Sequence, residues 1–174
     1  MSSATLADRA LPPGASSAQV QLLRFCVGSE ACAVRIGSVR EILEVARITP
    51  VPLMPDCVRG VMNLRGLVVP VIDLAARLGF APTRLDRRSA VVVVHLPGSN
   101  GSRQTLGLLV DTVQEVFKCQ EQDLEPPPRL GTRVPVAFVR SMVHVGAQVA
   151  IELALEQLVG SEALAALIAA ELAS

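Results

Sequence analysis

The sequence predicts a mainly β protein built from two similar strand-rich subdomains in tandem. Three observations carry that expectation. Short apolar runs rich in Val, Leu and Ile recur along the chain, separated by turns marked with Gly, Asn or Pro. Sliding the chain by 81 residues aligns 58–79 with 139–160 without a gap, matching Val58/Val139, Arg59/Arg140, Val68/Val149, Leu74/Leu155 and Gly79/Gly160. Val39-Arg40-Glu41-Ile42 is likewise echoed by Val113-Gln114-Glu115-Val116. Five identities do not prove a duplication, but they fit tandem units.

In chain order, residues 1–18 mix Ser, Ala, Pro and Gly without periodicity and read as a disordered lead. Residues 19–27 alternate like a strand, with Leu23, Phe25 and Val27 on one face. A turn at 28–30 returns the chain through 31–34, and 36–43 reads as a turn followed by a strand. A further strand is expected at 47–49. Pro50, Pro52 and Pro55 then enforce an extended loop, because each lacks an N–H and restricts the residue before it. Asp56 is placed to cap a single helical turn.

Residues 58–64 and 67–72 form the central hairpin, joined by a tight turn at 63–66, where Asn and Gly tolerate positive φ. Asp73 is expected to cap a short helix that Gly79 ends. Residues 81–88, polar and basic with one proline, read as a linker. Strands are expected at 90–96 and 104–110 around a turn at 97–102, followed by 113–117 and a break at Pro126-Pro127-Pro128. A last hairpin joins 134–145 to 149–153 about Gly146. The C-terminal helix starts at Ser161 and gathers Leu164, Leu167, Ile168 and Leu172 on one face. The expected division is therefore a lead over 1–18, a domain over 19–160 and a helix over 161–174. Within the domain, the subdomains span about 19–80 and 89–158, with strand exchange between them left open.

Composition narrows the function. The chain is 51% hydrophobic with four Phe and no Trp or Tyr, so its core is aliphatic. Sixteen basic residues balance sixteen acidic ones, which argues against non-specific binding to nucleic acid or anionic membranes. No apolar run approaches the roughly 20 residues that span a bilayer, so a soluble protein is expected. Cys26, Cys32, Cys57 and Cys119 are scattered without C-x-x-C spacing and read as reduced thiols of a cytosolic protein. No zinc spacing, phosphate loop, dinucleotide fingerprint or H-E-x-x-H is present. His95 and His144 fall at or within apolar strands. Neither an enzyme nor a cofactor or metal site is expected.

One residue resists a purely structural reading. Arg65 places a permanent charge at the tip of an apolar hairpin, and the 81-residue shift puts Gly146 opposite it. If the second hairpin turns on Gly, the turn itself does not demand arginine. Arg65 then serves either partner recognition or an ion pair between elements.

The stretch RGVMNLRGLVVPVIDL, preceded by VREIL and followed by LG, resembles the CheW family of chemotaxis coupling proteins from about residue 21 to 158. The resemblance implies two SH3-like five-stranded β-barrels packed around a shared hydrophobic core. It further implies a non-enzymatic cytoplasmic adaptor, associated with membrane receptor arrays through its partners. Those partners are the cytoplasmic tips of chemoreceptors and the regulatory domain of a CheA-type histidine kinase, with ring-type assembly alongside the kinase. Carried over by motif, Val39 and Glu41 of VREI, Gly60 of RGV and Arg65 of NLRG occupy positions linked in the family to protein binding, with Glu41 and Arg65 as an ion pair. Cys32 and Ala33 stand where the family usually carries an aromatic, implying a smaller pocket there. The 126–131 segment differs as well. These two departures leave open an adaptor of a non-flagellar pathway, such as pilus motility or surface sensing; a self-associating assembly module is a further alternative.

Overall fold

The computed structural model describes residues 18–97, 103–127 and 133–159. The lead expected over 1–18 (Ala18 apart), the turn core at 98–102 and the C-terminal helix expected over 161–174 lie outside the described residues. Among the described residues, ten strands and two short helices follow in order: β1 Gln19–Val27, β2 Glu30–Arg35, β3 Val39–Glu44, β4 Val58–Leu64, β5 Leu67–Asp73, α1 Leu74–Arg77, β6 Ala90–Pro97, β7 Arg103–Val110, β8 Thr112–Gln120, β9 Val139–Val145, β10 Gln148–Leu153 and α2 Leu155–Leu158.

The strands form two five-stranded sheets, ordered β8-β1-β2-β10-β9 and β3-β6-β7-β5-β4. Each sheet contains one parallel pair, β2 with β10 and β5 with β7, and the rest are antiparallel. The two orders correspond term by term, and the correspondence exchanges hairpins: β6–β7 plays in the second sheet the part that β1–β2 plays in the first. Each sheet therefore mixes strands from both halves of the chain. The 81-residue shift superposes β4–β5–α1 on β9–β10–α2.

Neither barrel is closed by a full ladder. Each seam instead carries one isolated antiparallel bridge. Thr49, beyond edge strand β3, pairs with Val61 of β4, and Glu125, beyond β8, pairs with Met142 of β9. Val61 and Met142 are themselves 81 residues apart, so closure too follows the repeat.

Packing explains the sheet composition. Met62, Leu64, Val69, Val71, Val91, Val93 and Leu109 fill the second barrel. Val20, Leu22, Ala33, Val143 and Ala150 fill the first. The largest cluster draws on both sheets, including Phe25, Val34, Ile72, Leu78, Val92, Leu108, Ile151 and Leu158. Strands β1, β5 and β6 thus bury both faces, one toward a barrel and one toward the shared core, which is why they read as near-continuous apolar runs.

Several local expectations need correction. The strand expected at 47–49 contributes only the bridge at Thr49, since the proline-rich loop that follows supplies too few donors to extend a ladder. Asp56 caps no helix; the chain there makes a turn in which Val58 N–H donates to Pro55 O at 2.9 Å. The last hairpin begins at Val139, because Val136–Phe138 forms a single 3-10 turn after Pro135. Asp73 does cap α1, its Oδ1 accepting from Ala76 N–H at 3.3 Å.

Candidate functional site

The β4–β5 hairpin turns on two residues, Arg65 and Gly66, between the paired Leu64 and Leu67. Both turn residues have positive φ, 52° for Arg65 and 86° for Gly66. That pattern matches the right-handed twist of the strands and is normally met by Asn or Gly. Asn63 assists from outside the turn, its Oδ1 accepting from Gly66 N–H at 2.9 Å. Among the described residues, only Arg65 and Leu53 are non-glycine residues at positive φ. In the matching β9–β10 turn, Gly146 takes φ 62° with no side chain to strain.

Glu41 shares the barrel-facing side of β3 with Leu43, while a bulge between Val39 and Glu41 turns Val39 toward the shared core. Its carboxylate sits at the barrel mouth, 19% exposed, and Arg65 meets it there with a two-pronged grip. Nη1 donates to Oε2 at 2.8 Å and Nη2 to Oε1 at 2.7 Å. The guanidinium beside Glu41 holds its carboxyl below the usual range. The rest of the Arg65 side chain is in solvent, at 67% exposure. The expected pair is therefore present, with its cation displayed and its anion recessed.

The other two candidate residues are placed differently. Val39 is half-buried, packs against the shared core and pairs with Val94. Gly60 is buried at the seam with φ 144°, and a Cβ there would fall 2.1 Å from Thr49 O. Gly60 therefore lets the barrel close. Cys32 and Ala33 are both fully buried, so neither lines an open pocket: Cys32 belongs to the shared core and Ala33 to the interior of the first barrel.

Sequence reasoning missed the first barrel's counterpart to this pair. Glu115, the repeat mate of Glu41, is met by Arg24 at 2.8 Å, and Arg24 Nη1 also donates to Gln148 Oε1 at 3.1 Å. Arg24 pairs in register with Ala33, whose small side chain leaves the guanidinium room. Both barrels thus answer a seam glutamate with an arginine. In the first the arginine comes from within the sheet and is 15% exposed; in the second it comes from the hairpin tip and stays exposed. Two further networks were also missed. Buried Glu152 accepts from Arg35 Nε at 2.7 Å and from Ser141 Oγ at 2.6 Å. Buried Asp73 accepts from Arg59 at 2.9 Å and from Thr83. Arg35 and Glu152 stand 117 residues apart, and the Asp73 contacts reach across strand, helix and loop, so no local periodicity announces either network.

The histidines have local partners: His95 lies 3.4 Å from Thr105 Oγ1, and His144 lies 3.6 Å from Glu125. Among the described residues no group of three or more His, Cys, Asp or Glu is arranged to hold a metal ion. No described helix is long and apolar enough to cross a membrane.

Two five-stranded sheets that share a core define an SH3-like module. The chain belongs to the CheW-like domain family, whose model matches residues 21–163. It is similar to the probable chemotaxis protein CheW of Rhizobium etli, 34% identical over 125 residues, covering 72% of this chain and 77% of that one. It is also similar to protein FrzA of Myxococcus xanthus, 32% identical over 146 residues, covering 84% and 88%. Among solved structures it resembles the scaffolding protein TtCheW of Thermoanaerobacter tengcongensis, with a TM-score of 0.73, 31% identity and coverage of 81% and 88%. The module is a CheW-like scaffold of chemotaxis signalling.

Proposed function

We propose that this protein is a non-enzymatic cytoplasmic adaptor that couples the cytoplasmic tips of methyl-accepting-type chemoreceptors to the regulatory domain of a CheA-type histidine kinase. Val39, Glu41, Gly60 and Arg65 form its binding region. The observation that carries this reading is the backbone of Arg65. A non-glycine residue in the left-handed region costs roughly 1–3 kcal/mol, the matching turn avoids that cost with Gly146, and the first barrel satisfies its seam glutamate with an internal arginine. Stability alone therefore favours another residue at 65. What arginine adds is a planar donor fork, oriented by Glu41 and open to a partner. Val39 supplies a half-buried apolar edge, and Gly60 keeps the seam shut beneath the fork.

The test is calorimetric titration of the chain with the regulatory domain of its cognate kinase and, separately, with a receptor tip. Wild type is expected to bind in the micromolar range and Arg65→Ala at least tenfold more weakly to one of the two. Failure of wild type to bind either partner would refute the coupling role. An adaptor of a non-flagellar pathway is a second reading, favoured by the similarity to protein FrzA, which is nearly as high as that to proteins named CheW. Pull-down against every receptor of one organism separates the two.

A further inference from the structure

Neither half of the chain can close its own barrel. Each sheet sets an edge strand antiparallel to the first strand of a hairpin, β8 beside β1 and β3 beside β6. Were β3 to take the place of β8 beside β1, it would run parallel to β2, from which only residues 36–38 separate it. Were β8 to take the place of β3 beside β6, it would run parallel to β7, with Asp111 alone between them. A parallel crossover needs about a dozen residues. Hairpin β1–β2 must therefore join β8, β9 and β10, and β6–β7 must join β3, β4 and β5.

A buried charge strengthens this dependence. The 81-residue shift and the parallel pairs Glu152/Ala33 and Val71/Gly107 set Glu152, Arg35 and Ser141 of the first barrel against Val71, Leu109 and Gly60 of the second. The first barrel thus carries a fully buried carboxylate where the second carries a fully buried valine. An unpaired buried charge is costly, so the second half requires a hairpin that brings an arginine to Glu152, as Arg35 Nε does at 2.7 Å. Hairpin β6–β7 offers Leu109 at that place. Hairpin β1–β2 supplies the arginine, from the same chain or from a second copy of it.

Residues 84–89 decide between those two sources. Thr83 stays with the first half, its N–H at 3.0 Å and its hydroxyl at 2.9 Å from the buried Asp73 carboxylate. Residues 84–88 are exposed, and their hydrogen bonds among the described residues stay within 86–89. Asp86 N–H donates to Ser89 Oγ at 2.9 Å, and Asp86 Oδ1 accepts from the N–H groups of Arg88 at 2.7 Å and Ser89 at 3.2 Å. Opening this turn breaks no hydrogen bond to either barrel, and every strand pair between the halves can be remade with a second copy.

We propose that 84–89 is the hinge of an exchanged dimer, in which β1–β2 of each copy enters the β8–β9–β10 sheet of the other and β6–β7 the β3–β4–β5 sheet. The Asp86–Ser89 turn holds the closed monomer, and protein concentration sets the balance. The exchange does not involve the Arg65 hairpin tip, so its test and that of the coupling role succeed or fail separately.

Thr112 pairs with Cys26 across β8 and β1, a spacing that a disulfide can bridge. Thr112→Cys therefore reports which chain each half comes from. The full-length variant is unfolded, refolded over a range of concentrations, sized by gel filtration and then oxidised, with wild type oxidised alongside as the control. The dimer fraction is expected to rise with concentration. On a denaturing, non-reducing gel the dimer peak should run as joined pairs and the monomer peak as single chains. Asp86→Ala with Ser89→Ala should raise the dimer fraction severalfold, and Arg65→Ala should leave it unchanged. Should Thr112→Cys fail to fold, wild-type copies of two isotopic masses replace it, mixed dimers forming when they are refolded together and not when mixed afterwards. No dimer at any concentration would overturn the proposal. So would a dimer that parts into single chains on that gel, or a hinge variant with the wild-type dimer fraction.

Discussion

Arg65 and Glu41 belong to opposite edges of one five-stranded sheet, yet they are joined by two hydrogen bonds of 2.8 and 2.7 Å. Strand β3 stands at one end of the sheet order and the β4–β5 hairpin at the other. The pair therefore crosses the seam of the second barrel, beside the single backbone bridge of Thr49 and Val61. This placement couples the displayed guanidinium to barrel closure.

The backbone strain at Arg65 can be isolated by comparing two variants that both lack the ion pair. Arg65→Gly is expected to be more stable than Arg65→Ala by about 1 kcal/mol, because only glycine enters φ 52° freely. In a chain of this size that difference shifts thermal melting by roughly 2–4 °C. Equal melting temperatures would show that the turn is unstrained.

The acid titration of Glu41 reports the same contact. Its carboxyl is held low first by the Arg65 hydrogen bonds and then by the nearby charge. A carboxyl depressed in the folded state adds stability above its unfolded value, near 4.3, and that contribution disappears as pH falls through the lower folded value. Carboxyl NMR should show the Glu41 midpoint moving up toward the ordinary value in Arg65→Ala. The stability gap between wild type and that variant should narrow below about pH 4.

Gly60→Ala should destabilise the fold by about 3 kcal/mol, since the added Cβ would lie 2.1 Å from Thr49 O and 2.6 Å from Thr49 C. Denaturant unfolding measures this directly. A variant of native stability that nonetheless loses binding would place Gly60 in the contact surface itself.

Asp73→Ala strips the acceptor from Arg59, Thr83 and Ala76 at a fully buried position. Removing one partner of a buried charged network costs about 3–5 kcal/mol. Amide exchange across 81–88 should accelerate in this variant even where the global fold survives, because its anchor at Thr83 is gone.

All four thiols are pushed up in pKa chiefly by burial, Cys32 most strongly. Thiolate is the nucleophilic form, so a disulfide thiol reagent at neutral pH should react slowly with the native chain and rapidly with the unfolded one. One cysteine reacting within seconds in the native protein would revive a nucleophilic chemistry.

Much of this architecture was legible in the residues. Apolar β-branched runs placed β1, β4, β5, β6, β7 and β10, and a turn within 63–66 and the cap at Asp73 followed from local chemistry, although the positive φ expected of Asn63 falls on Arg65 instead. The repeat of 81 residues exposed the contrast between Arg65 and Gly146. Less was legible at the site. Arg24 sits in a strand with no sign that its guanidinium would reach Glu115 and Gln148, 91 and 124 residues away. Segment 81–88 looked like a linker because its anchors, Asp73 and Ser89, reveal themselves only through geometry.

By itself, then, the sequence determined the local elements, their turns and the repetition that relates the two halves, since backbone preference and side-chain periodicity act over a few residues. Tertiary structure alone decided which strands share a sheet, sending β1 and β2 to β8, β9 and β10 while β6 and β7 joined β3, β4 and β5. Apolar burial carries no address. A run such as Val91-Val92-Val93-Val94 states that both its faces are to be buried, and only the meeting of ten strands decides that one face fills a barrel and the other the core between barrels.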